Sequence, residues 1–143
     1  MNNATEDNAQ ITRQCVEENQ RLDITAELFG MNFPMRLEPM VFTLAGTMSH
    51  EYQGGLWQFY RLSNGGFYMA PDSDTPFTVS CENGFSGSMS ADALGITACL
   101  YSYSLFSLRG PSEFAEVCSE QYHLLREYLY GHAEVGSILS AID

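Results

Sequence analysis

Lysine is absent from this chain. Its 143 residues hold six Arg and no Lys against 18 Asp and Glu, for a formal net charge of -12. The acids, at about one residue in eight, are at their ordinary abundance, so the imbalance comes from missing bases. Proteins that bind DNA or RNA neutralise phosphates with Lys and Arg, so direct nucleic-acid binding is excluded as an expectation. Attraction to anionic membrane surfaces is excluded for the same reason. Long apolar runs are also missing. The longest tract, around residues 93–108, is interrupted by Thr97, Ser102, Ser104 and Ser107 and falls short of the ~20 residues a spanning helix needs. The first residues, Met1 to Asp7, lack the positive region and apolar core of an export signal. Four cysteines, Cys15, Cys81, Cys99 and Cys118, form no C-x-x-C pair. A chain this long buries a core without disulfide staples, so they read as reduced thiols of a cytoplasmic protein.

Ligand and catalytic patterns are equally sparse. His50-Glu51 has no second His four residues after the first, and His123 and His132 are nine apart, too far for adjacent turns of one helix. Gly84-Phe85-Ser86-Gly87-Ser88 has Ser88 where a nucleophile elbow requires Gly. Neither Gly54-Gly55 nor Gly65-Gly66 fits a phosphate-binding loop or opens a helix. No carboxylate pair stands in an apolar context of the kind that tunes an acid and a base. The residues therefore predict no enzyme, no metal and no cofactor.

What is present points to an α+β protein. Residues 1–10 read as a mobile acidic tail, and 11–143 as a single domain. Ile11 to Val16 predicts a short strand. Leu22, Ala26 and Phe29 repeat at helical spacing after Glu17, with Gly30 as the stop, and Pro34 and Pro39 bracket a loop. Val41, Leu44 or Ala45, Met48 and Tyr52 predict a second helix ending before Gly54. Two strands flank a Ser63-Asn64-Gly65-Gly66 turn, because Asn-Gly supplies the positive φ of a tight reversal. Pro71 lacks the N–H that would continue the second strand. Phe77 to Cys81 and Phe85 to Met89 predict another hairpin, giving an antiparallel meander of about four strands packed against several helices. Ser90 opens an apolar helix, with Leu94, Ala98, Tyr101, Leu105 and Leu108 along one side, that Gly110-Pro111 ends. Ser112 caps an amphipathic helix with Phe114, Val117, Cys118, Leu125, Tyr128 and Leu129 inward, and a last helix spans Val135 to Ala141.

On the amphipathic helix, Glu113, Glu116, Glu120 and Glu127 fall within about 60° of arc at ~100° per residue. This carboxylate stripe is the candidate interaction surface. It extends roughly 21 Å at ~1.5 Å per residue, over which one DNA strand would show about six phosphates at ~3.4 Å spacing. Partial imitation of DNA is thus one reading; the solvated face of a helix is the other.

Residues 54–71 are the most distinctive. Gly54, Gly55, Trp57, Phe59 and Tyr60 lead into Ser63, Asn64, Gly65 and Gly66, followed by Phe67, Tyr68, Met69 and Pro71. Trp57, Phe59, Phe67 and Met69 alternate as a core-facing set. Tyr60 and Tyr68 differ from them in parity, and face either solvent or a second layer of helices. This run, with Gln20-Arg21 and Leu28-Phe29-Gly30 before it, resembles antirestriction proteins of the ArdB/KlcA type. The resemblance covers most of the chain from about Val16. It implies a compact α+β fold and a non-catalytic protein of plasmids or other mobile elements. Such a protein relieves type I restriction-modification in the bacterial cytoplasm and protects incoming DNA. It also implies a partner within the restriction system, met directly or through a host factor, and no catalytic residue to carry over. The alternative reading is a DNA mimic acting through Glu113, Glu116, Glu120 and Glu127.

Overall fold

In the computed structural model, residues 10–143 are described; the expectation of a mobile tail falls almost wholly outside them. Strand β1 (Arg13–Cys15) leads through a single 3-10 turn into helix α1 (Arg21–Phe29). A turn of π-helix (Phe33–Leu37) runs directly into α2 (Glu38–Met48). Strands β2 (Trp57–Leu62), β3 (Phe67–Pro71), β4 (Phe77–Ser80) and β5 (Ser86–Met89) follow, then α3 (Ala91–Arg109), α4 (Ser112–Leu129) and α5 (Val135–Ile142).

The strands form two antiparallel sheets, β1-β2-β3 and β4-β5, where the sequence predicts one meander. The reason lies at the outer edge of β3, where α3 occupies the place β4 would need. The Tyr103 hydroxyl donates to the carbonyl of Phe67 at 2.7 Å, and the Cys99 thiol lies 3.7 Å from that of Met69. Gly95 brings the two backbones together: a Cβ there would sit 2.4 Å from Ala70 Cα and from the Met69 carbonyl oxygen. Side chains of a helix thus close an edge that would otherwise remain open to pairing.

In register, Phe59 faces Met69, Arg61 faces Phe67 and Tyr60 faces Tyr68. One face of the sheet packs on α1, the π-turn and α2, through Phe29 and Phe33 on Phe67, Phe33 on Phe59, and Phe42 on Trp57. The opposite face meets α4, where the Tyr68 and Tyr128 rings stack at 5.9 Å. Helices on both faces and along one edge leave all five residues of β3 buried.

Several local expectations yield to packing. Pro34 stands in the first turn of the π-segment, where proline's missing N–H has no partner to lose, and Pro39 lies in the first turn of α2 directly after it, so they do not bracket a loop. The second helix consequently starts at Glu38 and ends at Met48, before Tyr52. Pro111, not Ser112, is at the cap position of α4. Ser112 is already helical, and its side chain caps nothing. Leu22 and Leu108, assigned to apolar faces by spacing, are 79% and 83% exposed; Thr25 takes the inward position on α1.

Candidate functional site

The hairpin tip is built by Asn64. Its Oδ1 accepts from Gly66 N–H at 2.9 Å, closing the turn in which Gly65 has φ +94°, and its Nδ2 donates to the Leu124 carbonyl of α4 at 2.9 Å. Gln121 of α4 donates to the Gly65 carbonyl at 3.2 Å, and Ser63 Oγ accepts from Thr12 N–H at 2.9 Å. The tip is therefore fastened to both α4 and the residue preceding β1. Gly66 is buried against Leu62 and Leu124, and a Cβ there would come within 2.8 Å of a Leu62 methyl and 3.3 Å of Leu124 Cβ.

Trp57, Phe59, Phe67 and Met69 lie in the core, and Pro71 ends β3. Gly54 and Gly55, with φ of +93° and +116°, turn the exposed loop before β2. That loop walls an open cleft of about 470 Å³ with Glu51, Leu56, Asp72 and Phe77. Glu113, Glu116, Glu120 and Glu127 are all exposed on α4. None of them joins a cluster with the hairpin residues.

The structure assembles a different polar group on the α4 face of the sheet. Arg13 of β1 donates to Asp92 Oδ1 at 2.6 Å and to the Tyr68 hydroxyl at 2.7 Å. Tyr68 donates in turn to Asp92 Oδ1 at 2.8 Å, and His132 Nε2 lies 2.8 Å from Asp92 Oδ2. Nδ1 of His132 accepts from Glu134 N–H at 2.9 Å, which leaves Nε2 as the protonated nitrogen facing the carboxylate. Glu134 accepts from the backbone N–H of Ser90 at 2.9 Å and from its hydroxyl. The same Ser90 hydroxyl caps α3 through Ala93 N–H. The Arg13 guanidinium lies 4.3 Å from the Tyr60 ring centroid, and Tyr60 stacks on Tyr68 at 4.9 Å.

Electrostatics follow the geometry. Burial pushes the Asp92 carboxyl up, but hydrogen bonds from His132 and Tyr68 and the charge of Arg13 outweigh it and hold the group below the usual carboxylate range. Burial and the neighbouring carboxylate raise the Tyr68 phenol far above its ordinary value, so it stays protonated as a donor. The group pairs internally a carboxylate, a guanidinium, a phenol and an imidazole drawn from β1, β3, the start of α3 and the loop before α5.

Sequence reasoning missed this cluster because Arg13, Tyr68, Asp92 and His132 lie up to 119 positions apart. The legible hint was Ser90 at the opening of α3. Among the described residues, no group of three or more His, Cys, Asp and Glu is placed to hold a metal ion. No described helix is long and apolar enough to cross a membrane. All four cysteines are free.

Fold and cluster together define a small acidic α+β protein whose principal polar group is paired within itself. The antirestriction protein family matches residues 50–143, from the loop before β2 to the end of α5. Two antirestriction proteins KlcA of Escherichia coli are similar along most of their length. One is 37% identical, covering 93% of this chain and 95% of the relative; the other is 40% identical, covering 90% of each. A putative antirestriction protein, YubI of Escherichia coli strain K12, is 37% identical over 135 residues. Among solved structures, one superimposes with a TM-score of 0.85 at 38% identity, covering 93% of this chain and 95% of that one. It comes from work on KlcA and ArdB proteins described as showing a novel fold and antirestriction activity against type I DNA restriction systems in vivo but not in vitro. The chain belongs to the antirestriction protein family.

Proposed function

We propose that this protein relieves type I restriction inside a bacterial cell and so protects incoming mobile-element DNA. It acts without catalysis, through contacts with a protein of the restriction system or with a host factor. The observation that carries this reading is the match along nearly the whole chain to a KlcA/ArdB structure with activity in vivo but not in vitro. Activity that needs the cell is what action through a further cellular component produces. The location is the cytoplasm, where restriction of incoming DNA takes place.

The test is the plating of unmodified phage on cells carrying a type I system, with and without the protein. Plating efficiency rises with the protein and is unchanged by it in cells lacking the restriction enzyme. Equal efficiencies in restricting cells, with expression confirmed, refute the reading.

Imitation of DNA by the α4 carboxylates is the second reading, favoured by the exposure of Glu113, Glu116, Glu120 and Glu127 on one helix. A mimic competes with duplex DNA on the purified enzyme, and salt weakens that binding steeply. Replacing all four by Gln separates the two: relief retained in cells removes the mimic, and relief lost with the fold intact supports it.

A further inference from the structure

Strand β1 is an unusual partner for the edge of β2. All three of its residues are exposed, so it adds no side chain to the core. It is held by the backbone pairing with β2, by Val16 just beyond it, which is buried in the core and donates to the Phe59 carbonyl, and by the Arg13 side chain, which enters a place lined by other elements. The lining groups are also bonded to one another without β1. Asp92 is oriented by His132 and Tyr68, His132 by Glu134, and Glu134 by Ser90 at the start of α3. Tyr60 and Tyr68 are stacked on β2 and β3. With β1 removed, a carboxylate oxygen, a phenolic oxygen and an aromatic face would all be directed at one point, beside an unpaired strand edge.

A carboxylate and an aromatic face together suit guanidinium better than ammonium, because guanidinium is planar, presents several donors and stacks on rings. The unpaired β2 edge adds a requirement for an extended main chain, which supplies affinity through backbone hydrogen bonds while the side-chain pocket supplies selectivity. A chain of net charge -12 also attracts a basic segment more readily than an acidic one. We propose that β1 is a strap over an arginine-receiving site, and that in its place the site takes an extended, arginine-bearing segment of a partner protein. Arg13 is the internal stand-in for the partner's arginine. Release of β1 exposes the site, and strand addition to β2 fills it.

Binding is tested with purified, isotope-labelled full-length protein carrying Arg13→Ala. The probe is a synthetic hexapeptide reproducing residues 11–16 with Ser for Cys15, alongside the same peptide with citrulline in place of arginine. The arginine peptide should produce saturable shifts at the amides of Tyr68, Asp92 and His132. Loss of the charged hydrogen bonds should weaken the citrulline peptide by about tenfold or more. The unsubstituted protein should bind the arginine peptide more weakly than the variant, because its own Arg13 competes at high effective concentration. No saturable shift, equal affinity for the two peptides, or equal affinity of variant and parent overturns the proposal. So does a dimer formed by exchange of β1, which would give the site to a second copy. Should Arg13→Ala fail to fold, hydrogen exchange on the unsubstituted protein decides. The amides of Thr12 and Ser63, which join the strap to the hairpin tip, should exchange about 100-fold or more faster than those of Ala98 and Leu100 in α3 through local opening. Equal protection means that the strap opens only with the whole protein, and overturns the idea. Peptide binding is read on purified protein and phage plating in cells, so either can fail without the other.

Discussion

Replacing Gly95 by Ala should destabilise the protein, although helix propensity alone predicts the opposite sign. Gly95 lies inside α3, where exchange for Ala ordinarily gains about 0.8–1 kcal/mol. Here the new Cβ would stand 2.4 Å from Ala70 Cα, Ala70 Cβ and the Met69 carbonyl oxygen. Non-bonded carbons settle at about 3.5–4.0 Å, so helix and strand must part by ~1 Å. The neighbours are backbone and a Cβ, so no flexible side-chain end can swing away. A gap of that size forfeits a quarter to a half of each contact's attraction, and Leu94, Ile96, Ala98 and Cys99 nearby are fully or almost fully buried. Overpacking costs typically ~1–3 kcal/mol and occasionally more; at the upper end, less the propensity gain, the net loss is about 2 kcal/mol. At ~2–4 °C per kcal/mol for a chain of this size, Tm falls by about 4–8 °C. Gly136→Ala in α5 is the control, since a Cβ there meets nothing within 4 Å; it should be neutral or stabilising by up to ~1 kcal/mol. Urea and thermal unfolding followed by circular dichroism measure both. A Gly95→Ala protein as stable as the parent would show that the α3 and β3 backbones are not in contact, and the account of the closed sheet edge would fall with it.

The Asp92 cluster links stability to pH. Because Asp92 is held below its ordinary range in the folded state, its contribution is fully present above the unfolded value of about 3.9. It is lost as pH falls through the lower folded value. Asp92→Asn should therefore flatten the fall in stability on the acid side of about pH 4, measured by urea unfolding across that range; an unchanged acid limb contradicts the assignment. Asn64→Ala removes both the turn bond to Gly66 and the bond to Leu124, and should cost about 1–3 kcal/mol in the same assay. A smaller loss would mean that Gly65 and Gly66 shape the tip unaided.

How much could be read in advance depended on how far the relevant physics reaches along the chain. Asn64-Gly65 as a turn, Pro71 as a strand end, Ser90 as a cap and Gly110 as a helix stop are decided by φ preferences and by hydrogen bonds within a few residues, so sequence suffices for each. The same local chemistry, with alternating and helical apolar spacing, was enough for an α+β fold and for the residues that resemble the antirestriction family. Spacing failed where the outcome depends on what packs from elsewhere. It placed Leu22 and Leu108 inside and left Tyr68 open, and it could not foresee that α3 would take the edge β4 needed for a continuous meander.

The Arg13, Tyr68, Asp92 and His132 cluster lies beyond any sequence pattern. No residue in it is unusual for its own segment. Its character comes from a carboxylate at a helix start being half-buried against three donors from distant elements, where lowered dielectric and partial desolvation make each pairing count. Sequence by itself determined which segments turn, extend or coil, because those are contests between neighbouring residues. Tertiary structure alone decided which charges meet and which strand edges are closed, because those outcomes depend on distances set by the whole fold.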